Sequence, residues 1–169
     1  MSSRKDKARW PRCGACRLRL DHCLCAQISP IHIETHVALV MHRREVGKPS
    51  NTGGLALQLF PNSSRYVRGV HQQPLDLSDL ERSERRLWVL FPSDKVEVVE
   101  RAMVDEDPRP ITLIVPDGSW TQARRVVRRE RLLHEARHIV PPPGHATRYR
   151  LRKEHVDGGL ATAEAIARV

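Results

Sequence analysis

Two stretches of the chain, "RRLWVLFPSD" and "ITLIVPDGSW", share one grammar: a short apolar run, a proline turn, and then residues that read as a helix. An apolar run of this length without alternation marks a strand covered on both faces, as in a parallel sheet. "THVALVMH" (35–42) reads the same way, and "ARHIVPPPG" adds a run that ends in prolines. Strands alternating with helices imply right-handed crossovers, and hence an α/β fold around a parallel sheet. In such sheets ligands lie beyond the carboxyl ends of the strands, which directs attention to residues 92–94 and 116–119. The first unit predicts a strand over 87–91 and a helix over about 94–104. Between the units, Asn51 or Thr52 is placed to cap a short helix through Leu55, Leu57 and Leu59 that Pro61 stops.

The second unit carries more detail. Ser119 and Gln122 form an S-x-x-Q capping box, which starts a helix at Trp120. Asp117 and Gly118 then fall in the turn before that helix, where unpaired N–H groups and the helix dipole favour an ionised carboxylate. Asp117 is thus either an acceptor for a ligand or a turn-former, a frequent role for Asp before Gly. Trp120, Ala123, Val126, Val127 and Leu133 fall on one helical face, which suits packing on the sheet. Arg124, Arg125, Arg128, Arg129 and Arg131 occupy the rest, as a solvated face or a phosphate-binding one.

All four cysteines fall in "CGACRLRLDHCLC" as Cys13, Cys16, Cys23 and Cys25. C-x2-C spacing lets two thiolates reach one ion from a tight turn, and the C-x-C pair completes a four-sulfur set suited to structural zinc. An iron–sulfur cluster would use the same ligands. The expected organisation is a disordered basic tail at 1–9, a zinc knuckle at 10–30, and an α/β domain at 31–169.

The chain of 169 residues has 29 Lys and Arg against 20 Asp and Glu, a formal charge of +9. Such a surface suits a polyanion, and nucleic acid is the commonest one. No apolar run is long enough to span a bilayer and no signal peptide is apparent, so a cytoplasmic protein without a membrane partner is expected. Neither a G-x-G-x-x-G fingerprint nor a Walker loop is present, which counts against the usual dinucleotide and NTP enzymes. "HRREVGK" offers Arg43, Arg44 and Lys48 to a polyanion, and "TRYRLRK" offers Arg148, Arg150, Arg152 and Lys153. Tyr149 could stack on a splayed base or pack in the protein. His32, His36, His42 and His71 are scattered and suggest no common chemistry.

The set "CGACRLRLDHCLC", "SNTG", "LFPSD", "PDGSW" and "YRLRKEHVDGGLATAEA" resembles the DTW-domain family of tRNA-uridine aminocarboxypropyltransferases, with the likeness running from residue 13 to 167. The resemblance implies a SPOUT-like parallel sheet with a C-terminal trefoil knot. It implies transfer of the 3-amino-3-carboxypropyl group of S-adenosylmethionine to N3 of a tRNA uridine, releasing methylthioadenosine. It makes Asp117 the catalytic residue. It lays the cofactor across Leu90, Phe91, Pro92, Ser93, Val115, Pro116, Gly118, Ser119, Trp120 and the segment leading into Leu151. The tRNA contacts then fall among Arg43, Arg44, Lys48, Arg124, Arg128, Arg148, Arg150, Arg152 and Lys153, some of which could instead anchor the cofactor carboxylate. A further helix beyond "GLATAEAIARV" is usual in the family, and the assembly expected is a monomer or homodimer.

Two other functions fit the same residues. A methyltransferase would use the same cofactor on the same fold and release S-adenosylhomocysteine. A non-catalytic zinc-bearing module would bind RNA with steep salt dependence and show no saturable affinity for the cofactor.

Overall fold

The structure is a computed structural model that describes residues 10–151 and 158–169. Its centre is a six-stranded parallel sheet. In chain order the elements are β1 (His36–His42), α1 (Gly53–Leu59), β2 (Ser63–Arg68), α2 (Ser78–Glu81), β3 (Arg86–Leu90), β4 (Glu97–Val98), α3 (Arg101–Asp105), β5 (Ile111–Asp117), α4 (Trp120–Arg129), α5 (Arg131–Glu135), β6 (Arg137–Val140) and α6 (Thr162–Arg168). Two short 3-10 turns, Leu20–His22 and Cys25–Gln27, precede them. Across the sheet the strands run β2-β1-β5-β3-β6-β4.

The unalternating apolar runs have the cause expected of them. Along β1, Val37, Leu39 and Met41 join one core cluster, while Ala38 and Val40 join another on the opposite face. The first cluster is closed by Ala56 of α1, Met103 of α3 and Ile166 of α6. The second is closed by Leu80 of α2, Ala123, Val126 and Val127 of α4, and Leu133 of α5. Both faces are therefore covered, and every residue of β5 is buried.

Three places depart from the sequence expectation, the first being the helix expected to carry Trp120 and Leu133 on one face, which breaks at the extended Glu130 into α4 and α5. The helix predicted over 94–104 is instead the short strand β4 followed by α3. "VEVV" alternates β-branched residues, and the open edge of β6 gives this segment a partner, with Val98 in register with Val140. The strand β2 is also new. Its sequence "SSRYVR" is only partly buried and has no apolar run, because it is an edge strand paired to β1 alone.

One feature of this topology positions the site. Adjacent strands β1 and β5 are followed by helices on opposite faces, α1 among the first core cluster and α4 among the second. The loops leaving the two strands diverge, and a crevice opens at their carboxyl ends.

Candidate active site and metal centre

Asp117 ends β5 at the floor of this crevice and is 5% exposed. Its carboxylate is held from two distant segments. Asn51, in the loop between β1 and α1, donates its amide to Oδ2 at 2.6 Å. Thr162, the first residue of α6, donates its hydroxyl to Oδ1 at 2.7 Å. The Asn51 carbonyl oxygen accepts from the Gly54 amide at 2.9 Å, so one side chain caps α1 and grips Asp117. Of the two residues expected to cap α1, Thr52 holds the N-cap position without a side-chain bond, while Asn51 supplies the bond and has a second function that its position in sequence did not suggest.

Gly53 is needed for this approach. A Cβ there would stand 3.1 Å from Leu39 and 3.2 Å from the Asp117 carboxyl group. The helix after Asp117 starts as predicted: Gln122 donates its backbone N–H to Ser119 Oγ, and the Ser119 N–H is accepted by the Gln122 side chain at 2.9 Å.

A cleft of about 950 Å³ opens above these groups. Its lining includes the apolar side chains of Leu90, Phe91, Val115, Trp120, Val140 and Pro141. It also includes Glu45, Lys48, Asn51, Asp117, Thr162 and Arg168. Glu45 is buried and accepts from the Lys48 ammonium at 2.7 Å, with the Asn51 amide 3.5 Å from its other oxygen. Trp120 packs at a tilt against Phe91, with ring centres 6.0 Å apart.

The C-terminal segment also lines the cleft and is tied down at several points. Tyr149 donates its hydroxyl to the Ser50 carbonyl at 2.7 Å, and the Ala163 amide donates to Thr52 Oγ1 at 3.2 Å. Glu164 gathers the Thr147 hydroxyl and the amides of Arg148 and Ala161. Burial alone would raise its carboxyl pKa, but these donors, Thr147 foremost, bring it below the ordinary value. Arg168 donates to the His145 carbonyl at 2.6 Å.

Of the residues expected to hold the cofactor, Leu90, Phe91, Pro92, Val115, Pro116, Gly118, Ser119 and Trp120 line the cleft. Ser93 and Leu151 do not. Ser93 turns to His138, whose Nδ1 lies 2.7 Å from its hydroxyl, and Leu151 is exposed. Among the basic residues, Lys48 belongs to the cleft, while Arg43, Arg44, Arg124, Arg128, Arg148 and Arg150 are exposed. Arg152 and Lys153 lie outside the described residues. Asn51, Thr162, Glu45 and Arg168 also line the cleft and were not singled out as site residues from sequence. Both Asn51 and Thr162 sit inside motifs that were, "SNTG" and "GLATAEA".

The four cysteine sulfurs form a second constellation, all within 4.8 Å of one another. Cys13 and Cys25 are 3.6 Å apart and Cys16 and Cys23 3.8 Å apart, far beyond a disulfide bond. A tetrahedral ion with sulfur ligands at about 2.3 Å needs sulfur–sulfur edges of about 3.8 Å, so this donor set fits a metal ion. Backbone amides of Cys16 and Ala15 draw the Cys13 thiol down to about 6, and the neighbouring Cys13 sulfur pushes Cys25 up to about 12. Cys25 also lies 3.4 Å from the Gln58 side chain, which seats the knuckle on α1.

A family model described as "DTW domain" matches residues 10–169. The chain is similar to proteins named tRNA-uridine aminocarboxypropyltransferase 2. It is 26% identical to that of Macaca fascicularis over 94% of this chain and 55% of the relative. It is 25% identical to that of Mus musculus over the same shares, and 27% identical to that of Drosophila melanogaster over 92% of this chain and 64% of the relative. The chain thus spans little more than half to under two thirds of the length of these relatives. No solved structure matches it. Among the described residues, no helix is long and apolar enough to cross a membrane.

Proposed function

The chain belongs to the DTW-domain family, and from that premise we propose that it is a tRNA-uridine aminocarboxypropyltransferase. The reaction would transfer the 3-amino-3-carboxypropyl group of S-adenosylmethionine to N3 of a tRNA uridine. The N3–H bond and a carbon–sulfur bond break, an N3–carbon bond forms, and methylthioadenosine leaves. The observation that carries the reading is the meeting of "SNTG", "PDGSW" and "GLATAEA" on one buried carboxylate beside a cleft of ligand size.

The fit of the donor rests on the cleft itself. Its apolar lining residues Leu90, Phe91, Val115 and Trp120 suit an adenine ring, and its charged and polar lining residues suit a charged amino-acid group. In that arrangement Glu45 would face an ammonium, and Lys48 and Arg168 a carboxylate. When bound, the sulfonium supplies a carbon already activated for attack. The protein's part is to select which carbon faces the nucleophile, through alignment rather than added activation.

Asp117 is the residue we assign to the N3 proton. Asn51 and Thr162 fix the plane of its carboxylate, so it acts as a pre-oriented acceptor beside the cleft. The SPOUT-like sheet with a knotted C-terminus belongs to the same reading. It is supported by the path of the C-terminal chain, which reaches Ser50, Thr52 and Asp117 at the carboxyl ends of β1 and β5. Zinc is the metal we assign to the four thiolates, as a closed structural site remote in role from the chemistry.

The deciding experiment incubates the chain with unmodified tRNA transcript and S-adenosylmethionine and identifies both products by mass spectrometry. Aminocarboxypropyl-uridine with methylthioadenosine is expected. Methylated nucleoside with S-adenosylhomocysteine would replace this reading by methyl transfer.

A further inference from the structure

The chain's positive charge is unevenly neutralised. Arg101, Arg109, Arg131 and Arg137 each meet at least one carboxylate. Arg43, Arg44, Arg125 and Arg129 are exposed and, among the described residues, make no ion pair. These four come from separate parts of the sequence, yet the fold brings them to one place.

His42 ends β1 opposite Arg68, which ends β2. Arg68 donates to the Gln122 carbonyl at 3.1 Å, and the Gln122 side chain reaches His42 at 3.2 Å. Gln122, Arg125 and Arg129 stand at i, i+3 and i+7, along one flank of α4. Arg43 and Arg44 follow directly on His42, and the Arg43 side chain lies beside Gly69. The electrostatics agree with this proximity. Burial, then the guanidinium groups of Arg68, Arg44 and Arg43, hold His42 below its ordinary pKa. Burial likewise lowers Arg68, with Arg129 and Arg125 adding to it against Glu130.

From this we infer that the carboxyl ends of β1 and β2 and the adjoining flank of α4 form a surface that docks the RNA phosphate backbone. The inference rests on the tRNA reading above and deepens it by naming a face that meets the backbone. Glu130 offsets part of the charge on Arg68 and Glu45 part of that on His42, yet Arg43, Arg44, Arg125 and Arg129 form no ion pair among the described residues, and such a cluster is relieved by a polyanion whose condensed ions are released on contact. Arginine suits this task because its planar fork binds phosphate oxygens in pairs. The face also adjoins the cleft: Ser119 lines the cleft and is joined to Gln122 by the capping box. A backbone seated on Arg43, Arg125 and Arg129 would hold a splayed nucleotide near the cleft mouth.

A membrane surface is the competing polyanion. It would call for apolar side chains beside the cations. The apolar residues of α4, namely Ala123, Val126 and Val127, are buried against the sheet instead.

The test measures tRNA binding by the intact chain across a range of salt. The variant R43Q/R125Q/R129Q is compared with R101Q/R109Q/R131Q, which removes equal charge from paired arginines. Each phosphate contact contributes about 0.7 to 0.9 to the slope of log K against log salt. The first variant should lose about 2 units of slope and bind on the order of tenfold more weakly or worse at low salt; the second should lose less than half a unit. Equal losses in the two variants would overturn the inference in favour of diffuse attraction. An unchanged tRNA slope with lost binding to phosphatidylserine vesicles would overturn it in favour of a membrane face. The product assay is independent: modified uridine with an unchanged slope sinks only the docking face, while a reduced slope without product sinks only the transferase.

Discussion

Thr162 donates its hydroxyl to Asp117 at 2.7 Å, and so joins the start of the last helix to the end of a central strand 45 residues earlier. The bond falls on a buried carboxylate, which makes its removal more costly than that of a surface bond. Thr162→Val keeps the side-chain volume and leaves Oδ1 without this donor. A loss of about 1 to 3 kcal/mol in stability is expected, measured by denaturant unfolding, with Thr162→Ser restoring most of it. An unfolding free energy equal to wild type in the valine variant would show that α6 is held by other contacts.

Asp117→Asn separates charge from shape at the same place. Its carbonyl can accept from Asn51, while its NH₂ can face Thr162, whose hydroxyl is able to accept as well as donate. The variant should therefore fold and bind S-adenosylmethionine. Its turnover should drop by about 100-fold or more, as expected on loss of a positioned proton acceptor. Product counting by mass spectrometry alongside calorimetric binding of the donor tests this; undiminished turnover would remove Asp117 from the chemistry.

The contrast between Asp117 and its partners Asn51 and Thr162 shows where the sequence is readable. Local rules give the Ser119–Gln122 capping box correctly, whereas Asp117, expected in the turn before that helix, is the last residue of β5. The strands β1, β3, β5 and β6 are legible for a related reason, since an unbroken apolar run records burial on both faces. Asn51 and Thr162 reach Asp117 across 66 and 45 residues, and no local pattern encodes such a meeting. β2 and β4 escape for a third reason. Both are edge strands, so each has one neighbour and little apolar surface, and β4 exists because β6 offers it a free edge.

The close approach of Gly53 to Asp117 predicts opposite signs for two adjacent substitutions. In a helix, Gly→Ala ordinarily stabilises by roughly 0.5 to 1 kcal/mol. At Gly54 the nearest atom to a new Cβ is Asn51 Oδ1 at 3.8 Å, so Gly54→Ala should show that gain. At Gly53 the neighbours are fully buried Leu39 and Asp117, the latter held by Asn51 and Thr162, so each must shift by a few tenths of an ångström against its own packing or hydrogen bonds. Gly53→Ala should therefore lose about 1 to 3 kcal/mol by overpacking. Chemical denaturation of both variants reads the signs, and a stabilised Gly53→Ala would mean that the Asp117 pocket yields.

Two histidines make the fold sensitive to mild acid. Burial, then Arg85, lowers His36, and burial with Arg68, Arg44 and Arg43 lowers His42, each from an ordinary 6.5. The unfolded chain then binds protons at higher pH than the native one. Stability is accordingly full above about 6.5, falls as pH drops through 6.5, and levels once the native imidazoles protonate below that value. A lower Tm at pH 5.5 than at pH 7.5 is expected. In H36Q/H42N, where Gln can meet Ser64 and Asn can accept from the Arg44 amide, the difference should shrink. A persistent difference would assign the effect to other groups.

The cysteine knuckle should respond to metal removal without taking the sheet with it. Its sulfurs lie at tetrahedral edge lengths, while its link to the rest of the fold includes Cys25 to Gln58 on α1 and no pairing with the sheet. Purified protein is expected to contain about one zinc per chain, lost when Cys13, Cys16, Cys23 and Cys25 are all replaced by serine. Because the ligands are thiolates, affinity should fall as pH is lowered, and the metal should leave with proton uptake. After chelation, amide exchange should rise around Cys13 and Cys25 and at Gln58, while β1 and β5, buried on both faces, keep their protection. Iron with visible absorption would replace zinc by an iron–sulfur cluster, and exchange spreading through β1 and β5 would make the knuckle a condition of the whole fold.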